Sequence, residues 1–341
     1  MSSIALAEER SPLGRTLFRL ADSALTDAVT GRVPRIAVLV PCYNEEVAVA
    51  QVIHDFRNAL PNAVIYVYDN NSQDRTVEQA RAAGAIVRSE TLQGKGNVVR
   101  RMFADVEADV YVMVDGDNTY DAAAAPELIS VLLSQHLDMV NGRRITDATD
   151  AYRAGHRFGN KLLSNMVYMI FGNRCRDVLS GYRVLSHRFV KSFPALSEGF
   201  EIETEITVHA LELRMPLAEV DTAYKARLDG SVSKLRTYRD GLRICRNIFY
   251  LVKEERPLPF FGTVFLVLAV LASLISIPIF TTYFETGLVP RFPTIILATG
   301  MMLVGFSSLV CGLVLDTVTL GRREAKRMRY LAYPAPGSAD E

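Results

Sequence analysis

The sequence predicts an α/β fold, a doubly wound and mostly parallel sheet, followed by two C-terminal transmembrane helices. Three observations carry the prediction. Apolar, β-rich runs alternate with helical periodicities from Arg35 to Asn141, as stacked βαβ units do. Polar clusters sit at three of the strand ends, at Pro41–Glu45, Asp69–Asp74 and Asp115–Asp117, and open α/β sheets bind ligands beyond the carboxyl ends of their strands. Finally, Phe260–Tyr283 and Phe292–Leu315 contain no charged residue, and each is long enough to cross a hydrocarbon core of ~30 Å with some tilt.

Taken in order, Arg35–Val40 reads as a first buried strand, closed by Pro41. Glu45 and Glu46 then suit the first turn of a helix carrying Val49, Val52, Ile53 and Phe56, because carboxylates favour the positive end of the helix dipole. Ala63–Tyr68 is a second strand, and the loop Asp69–Asp74 leads into a helix near Arg75. Ala85–Arg88 is a short third strand, and Gly94-Lys95-Gly96 opens a helix through Phe103. Val110–Val114 is a wholly apolar strand that ends abruptly in Asp115-Gly116-Asp117-Asn118. Glu127–Gln135 is another helix and Asp138–Asn141 another strand. At the N-terminus, Leu13, Leu17, Leu20 and Leu25 fall at roughly helical spacing, which suits a packed helix or one lying on a membrane surface.

Lysine plus arginine and aspartate plus glutamate each total 38, so bulk charge gives no hint of nucleic acid as a partner. The four cysteines lack C-x-x-C spacing and the five histidines form no H-E-x-x-H pair, which leaves neither a zinc pattern nor a disulfide framework. Lys253 and Arg256 precede the first uncharged run, and Arg322, Arg323, Lys326, Arg327 and Arg329 follow the second. By the positive-inside rule both ends of this pair face the cytoplasm. The expected organisation is a helical segment at 1–33, a cytoplasmic α/β domain at 34–252, a two-helix membrane region at 253–320 and a basic cytoplasmic tail at 321–341.

Asp115 and Asp117 offer hard oxygen ligands at a strand end, which suits a divalent cation that bridges to substrate phosphates. An Asp-Gly turn with solvated carboxylates has the same sequence. No G-x-G-x-x-G follows the first strand, which disfavours a dinucleotide, and Gly94-Lys95-Gly96 lacks the spacing and Ser/Thr of a P-loop. Lys95 either approaches phosphate or sits on a surface loop. Together the three clusters suit a nucleotide, with base and ribose on the first two and the diphosphate on the third.

The set P-C-Y-N-E-E (41–46), Y-D-N-N-S-Q-D-R-T (68–76), G-K-G-N (94–97) and V-D-G-D (114–117) resembles family 2 glycosyltransferases of the GT-A fold. N-G-R-R (141–144), D-V-L-S-G-Y-R (177–183), F-E-I-E-T-E (200–205) and G-S-V-S-K (230–234) resemble the polyprenyl-phosphate sugar synthases, related to dolichyl-phosphate mannose synthase and the bactoprenol glucosyltransferases. The resemblance covers roughly residues 34 to 250. It implies Mg2+ or Mn2+ on Asp115 and Asp117, with nucleotide contacts from Pro41, Tyr43, Glu45, Asp69, Lys95 and Asp115. It implies phosphate-gripping roles for Arg143, Arg157 and Arg227 beside a catalytic Asp117, whereas Arg144 and Arg153 read as surface charges. Asp177, Ser180, Glu203 and Lys234 would line the sugar and acceptor pocket. The apolar-rich helix Phe158–Phe171 is core or dips into the bilayer near the lipid. Two departures stand out. The common D-D-G-S loop is here Asp69-Asn70-Asn71-Ser72, and Thr119 stands where the mannose synthases place a metal-holding glutamine.

The implied reaction is inverting transfer of a glycosyl group from a nucleotide-diphospho-sugar, in bacterial relatives most often a UDP-sugar, to a polyprenyl phosphate. It would take place at the cytoplasmic face of the inner membrane, on a multi-pass protein that is open to homo-oligomerisation, and would supply cell-envelope glycan or lipopolysaccharide modification. A lipid phosphate needs no catalytic base, since a phosphomonoester with a second pKa of about 6 is already largely anionic at pH 7. Two alternatives are a tethered transferase acting on a lipid or glycan hydroxyl, which would need a base, and a non-catalytic membrane anchor. The processive polysaccharide synthases carry Q-x-x-R-W, and this chain has no tryptophan. Glucose, galactose, N-acetylhexosamine and uronic acid donors all remain open.

Overall fold

The computed structural model describes residues 33–145, 167–168, 172, 175–199, 201–227, 249–250, 252–289 and 291–336. The alternation seen in the sequence becomes β1 (Ile36–Cys42), α1 (Val49–Ala59), β2 (Val64–Asp69), α2 (Thr76–Ala82), β3 (Ile86–Ser89), α3 (Lys95–Asp105) and β4 (Val110–Met113). Then come α4 (Ala125–Ser134), β5 (Met139–Ile145), β6 (Arg183–Ser186), α5 (His187–Ser192), α6 (Ile202–Glu212) and β7 (Leu217–Ala223). Two long helices follow, α7 (Pro257–Thr286) and α8 (Phe292–Leu331).

The strands form one sheet in the order β3-β2-β1-β4-β6-β5-β7. Pairing is parallel except at β6, which runs antiparallel to both β4 and β5. The sheet is therefore mixed and GT-A-like, as the motifs implied. Side chains of β1 alternate between two cores, as a two-residue period requires. Ile36, Val38 and Val40 pack with α1 and α4 on one face, and Ala37 and Leu39 pack with α3, α5 and α6 on the other. Register sets the strand ends level: Cys42 lies opposite Asp69, and Leu39 opposite Met113, so Asp115 emerges beside Pro41.

One expectation is corrected here. Glu45 and Glu46 precede α1, which has no acidic residue in its first turn. They instead hold the next loop: Glu45 N donates to Thr76 Oγ1 at 2.8 Å, and Arg75 N donates to Glu46 Oε2 at 3.0 Å.

The chain divides into two compact units, 1–241 with 326–341, and 242–325. In the second unit α7 and α8 are both long and apolar enough to cross a membrane, and only 11% and 17% of their most apolar windows are buried within the protein. Leu266, Phe280, Leu303 and Phe306 point outward. What α8 does bury is a seam of small residues every seventh position, Ala298, Gly305, Gly312 and Thr319. Small residues let helix backbones approach closely in the absence of a hydrophobic drive. A Cβ on Gly312 would lie 2.9 Å from Phe261 Cβ.

In the first unit, the end of α8 and the residues after it pack on the edge of the sheet remote from the polar strand ends. Tyr330 donates its hydroxyl to Asp138 Oδ2 at 2.8 Å, and Arg188 lies 4.3 Å over the Tyr330 ring. Lys326 Nζ reaches Glu212 Oε2 at 2.7 Å, and Pro336 O lies 3.1 Å from His136 Nδ1. The segment expected as a basic tail thus begins as helix and continues as a docked strap.

Candidate active site

The site is built where β1, β2 and β4 end. Asn70 N donates to Cys42 O, tying the first two ends together. The Asn70 amide donates to Glu90 O and Leu92 O and accepts from Gly94 N at 2.7 Å, so the residue that breaks the D-D-G-S pattern holds the loop before α3. Asp69 is buried, and its Oδ1 has no hydrogen-bond partner among the described residues. A buried acceptor left unmade costs about 1–3 kcal/mol, so this oxygen is suited to an incoming N–H donor. Pro41 and Cys42 form the end of β1, and the exposed Tyr43 follows.

Asp117 has both oxygens engaged. Thr119 donates to Oδ1 through its hydroxyl at 2.6 Å and through its N–H at 3.2 Å, and Arg227 Nη2 lies 2.7 Å from Oδ2. Thr119 therefore orients the carboxylate at the position where a further ligand was in question. Arg227 arrives by an extended segment: Tyr120 bridges Tyr224 antiparallel and Lys225 N donates to Thr119 O. The Tyr120 ring packs 5.3 Å from Tyr224 and 5.5 Å from Tyr182, and its hydroxyl accepts from Gly181 N at 2.8 Å. Burial holds the Tyr120 phenol far above its ordinary pKa, so it stays protonated.

Asp115 meets Lys95. Lys95 Nζ lies 2.5 Å from Asp115 Oδ1 and 2.5 Å from Glu203 Oε1. Burial works against this ammonium, yet the two carboxylates more than offset it and raise its pKa above the ordinary lysine range. The paired glycines explain how Lys95 gets there. Gly94 has φ +134°, and a Cβ on Gly94 or Gly96 would run into the carbonyls of Glu198 and Ser197. The G-K-G run is thus a docking surface for the segment before α6, and Gly96 N donates to Glu198 O at 2.9 Å. Gly181 abuts the Asp115 carboxylate so closely that a Cβ there would collide with it.

The two adjacent arginines of β5 point to opposite faces. Arg143 is held by Asp221 in a two-pronged pair (2.5 and 2.7 Å). Arg144, expected at the surface, is the less exposed of the two: it pairs doubly with Asp177 (2.8 and 2.7 Å) and lies 5.5 Å over the Tyr224 ring. Asp177 is accordingly committed to Arg144, and the fully buried Ser180 donates to Gly142 O at 2.6 Å. Both shape the loop behind Asp115. Sequence reasoning missed Arg183, which is fully buried and donates to Ser180 O, Val178 O and Glu203 O. Its place at the end of the 177–183 block was the available signal. Arg157 and Lys234, and most of the helix expected at 158–171, lie outside the described residues.

The donors at the site fit a hard divalent ion. Asp115 and Asp117 supply oxygen only, and each already draws a cationic side chain onto itself. Among the described residues no cluster of three His, Cys, Asp or Glu could encage an ion. A hard cation of this kind can take one or two carboxylates and complete its shell with phosphate oxygens and water.

The model for "Glycosyl transferase family 2" matches residues 37–193. Glycosyltransferase AglJ of Haloferax volcanii is 36% identical over 231 residues, covering 67% of this chain and 76% of that protein. A "dolichyl-phosphate hexose transferase" of the same organism is 27% identical over 221 residues, covering 65% of this chain and 95% of that protein. Among solved structures, glucosyl-3-phosphoglycerate synthase from Mycobacterium tuberculosis, in complex with Mn2+, UDP-glucose and phosphoglyceric acid, matches with a TM-score of 0.56 at 20% identity. That match covers 69% of this chain and 82% of that one.

Proposed function

The chain belongs to glycosyl transferase family 2, as a glycosyltransferase of the polyprenyl-phosphate group, and on that premise we propose that it moves a glycosyl group from a nucleotide-diphospho-sugar to a polyprenyl phosphate at the cytoplasmic leaflet. A UDP-sugar is the proposed donor, and the product is a lipid-phosphate-sugar formed with inversion. One observation carries this reading: a strand-end site holding two acidic residues and a buried unmade acceptor stands on the same chain as two helices with outward apolar faces.

Asp69 accepts the N–H of the base, with Pro41, Tyr43 and Glu45 flanking it. Asp115 and Asp117 hold Mg2+ or Mn2+, which when bound neutralises charge on the leaving diphosphate. Arg227, oriented by the 224–227 segment, grips phosphate, and Thr119 keeps Asp117 from rotating. The lipid phosphate arrives already ionised, so no residue need remove a proton; it needs cations and in-line positioning. The basic residues flanking α7 and α8 support a cytoplasmic site on an inner-membrane protein.

The test incubates membranes carrying the full chain with undecaprenyl phosphate and labelled nucleotide sugars. A labelled lipid should form only with divalent cation present, release its sugar under the mild acid that cleaves a glycosyl phosphate, and be lost in Asp117→Ala. An acid-resistant glycoside would move the acceptor to a hydroxyl. Absence of product with every donor would sink the proposal.

A further inference from the structure

Both oxygens of Asp117 are engaged by the chain itself. Thr119 donates to Oδ1 twice, through its hydroxyl at 2.6 Å and its N–H at 3.2 Å, and Arg227 Nη2 lies 2.7 Å from Oδ2. The carboxylate is only 5% exposed. A divalent ion and a guanidinium sharing one buried oxygen would be like charges at close range, where little water screens them. At Asp117 the two are therefore competitors.

The two sides of this carboxylate are held unequally. Thr119 is buried, and Lys225 N donates to its carbonyl at 2.8 Å, so the Oδ1 side is fixed in the fold. Arg227 is 30% exposed at its side chain, and its long stem lets the guanidinium swing. At Asp115 the cationic partner is Lys95, which is 10% exposed and bound to Glu203 as well. The exchangeable cation at the turn is thus Arg227. We propose that Arg227 is a placeholder for the divalent ion: it occupies Asp117 Oδ2 until a nucleotide diphosphate draws it away, which couples cation binding to nucleotide binding. This rests on the reading of the chain as a cation-assisted nucleotide-diphospho-sugar transferase. The exchange keeps Asp117 compensated throughout, since one positive group leaves for an anion as another arrives. By linkage the coupling is reciprocal, so the nucleotide also gains from the cation.

The experiment is equilibrium dialysis of Mn2+ against the full chain in detergent, with and without saturating UDP or GDP. Manganese complexed to free nucleotide equilibrates between the chambers, so only protein-held manganese is counted. Arg227→Gln should tighten Mn2+ binding without nucleotide by about tenfold or more, the scale of one hydrogen bond to a charged group. The enhancement produced by nucleotide should shrink by the same factor. A merely structural arginine would not yield tighter binding on removal. Lys225→Gln removes a charge from the same segment, where it pairs with Asp121 at 3.6 Å; as an exposed, screened charge it should change Mn2+ binding by less than about twofold. An Arg227→Gln protein that binds Mn2+ no more tightly would overturn the inference, as would a Lys225→Gln protein that tightens it equally. Should Arg227→Gln fail to fold by far-UV circular dichroism, Arg227→Ala takes its place. The unaltered protein gives a further check, since equal Mn2+ affinity with and without nucleotide also defeats the coupling. If the unaltered protein retains no Mn2+ with either nucleotide, the cation-assisted transferase reading fails too; the other outcomes sink the inference alone.

Discussion

Replacing Lys95 with methionine keeps an unbranched side chain one atom shorter and removes the charge that Asp115 and Glu203 share. The structure sets the size of the effect. Lys95 is 10% exposed and Glu203 7%, so this is a buried pair, and breaking such a pair from one side costs about 3–5 kcal/mol. Asp115 is wetter and lowers the figure toward 3. There is also a ceiling, because a carboxylate can take up a proton instead of staying charged. From an unperturbed glutamate at pH 7 that costs about 3.7 kcal/mol, and at pH 5 only about 1 kcal/mol. Lys95→Met should therefore lose about 3 kcal/mol at pH 7, a fall of about 6–12 °C in Tm for a domain of this size. The deficit should narrow at pH 5, and adding Glu203→Gln should recover most of it. With no tryptophan in the chain, far-UV circular dichroism is the suitable probe. A shift of less than about 2 °C at pH 7, on the same scale, or a deficit that widens on acidification, would refute the reasoning.

Three further outcomes are expected. Gly181→Ala pushes a methyl into the Asp115 carboxylate, and since about 1 Å of misplacement costs on the order of 100-fold in rate, glycosyl transfer should collapse while Tm barely moves. Burial, aided by Lys326, pushes the His209 imidazole down to about 3; a depressed histidine gives stability that is complete above its unfolded pKa of about 6.5 and is lost as pH falls through about 3. The unaltered protein should then lose up to about 1.4 kcal/mol per pH unit across that window, and His209→Phe should flatten the slope in denaturant titrations. Tyr330→Phe removes one hydrogen bond to the fully buried Asp138, which keeps Arg188 and Ser186, and should cost about 1–2 kcal/mol by thermal unfolding.

The strand ends were legible because apolar runs and the polar clusters that stop them are local signals, and the parallel order β2-β1-β4 follows from the βαβ pattern. The antiparallel β6 was not, since four residues of strand carry no mark of direction and its partners lie far away in sequence. Arg143 and Arg144 show the same limit: alternation says that they face opposite ways, but only the register of β7, which sets Arg143 opposite Asp221, decides which arginine pairs with Asp177. The second partner of Lys95, Glu203, is 108 residues distant, beyond any motif window. Arg183 was hidden by its type, because arginine is almost never fully buried unless its donors are met, and here three carbonyls meet them.

The docked end of α8 and the strap after it mean that the catalytic module is discontinuous along the chain. Asp138 and Glu212 find partners in Tyr330 and Lys326 only after both apolar helices have been made. During synthesis the sheet can assemble early, yet this flank is completed only once Lys326 and Tyr330 have left the ribosome, after both apolar helices. The finished state of the enzyme's far edge thus certifies that the apolar hairpin is already in existence.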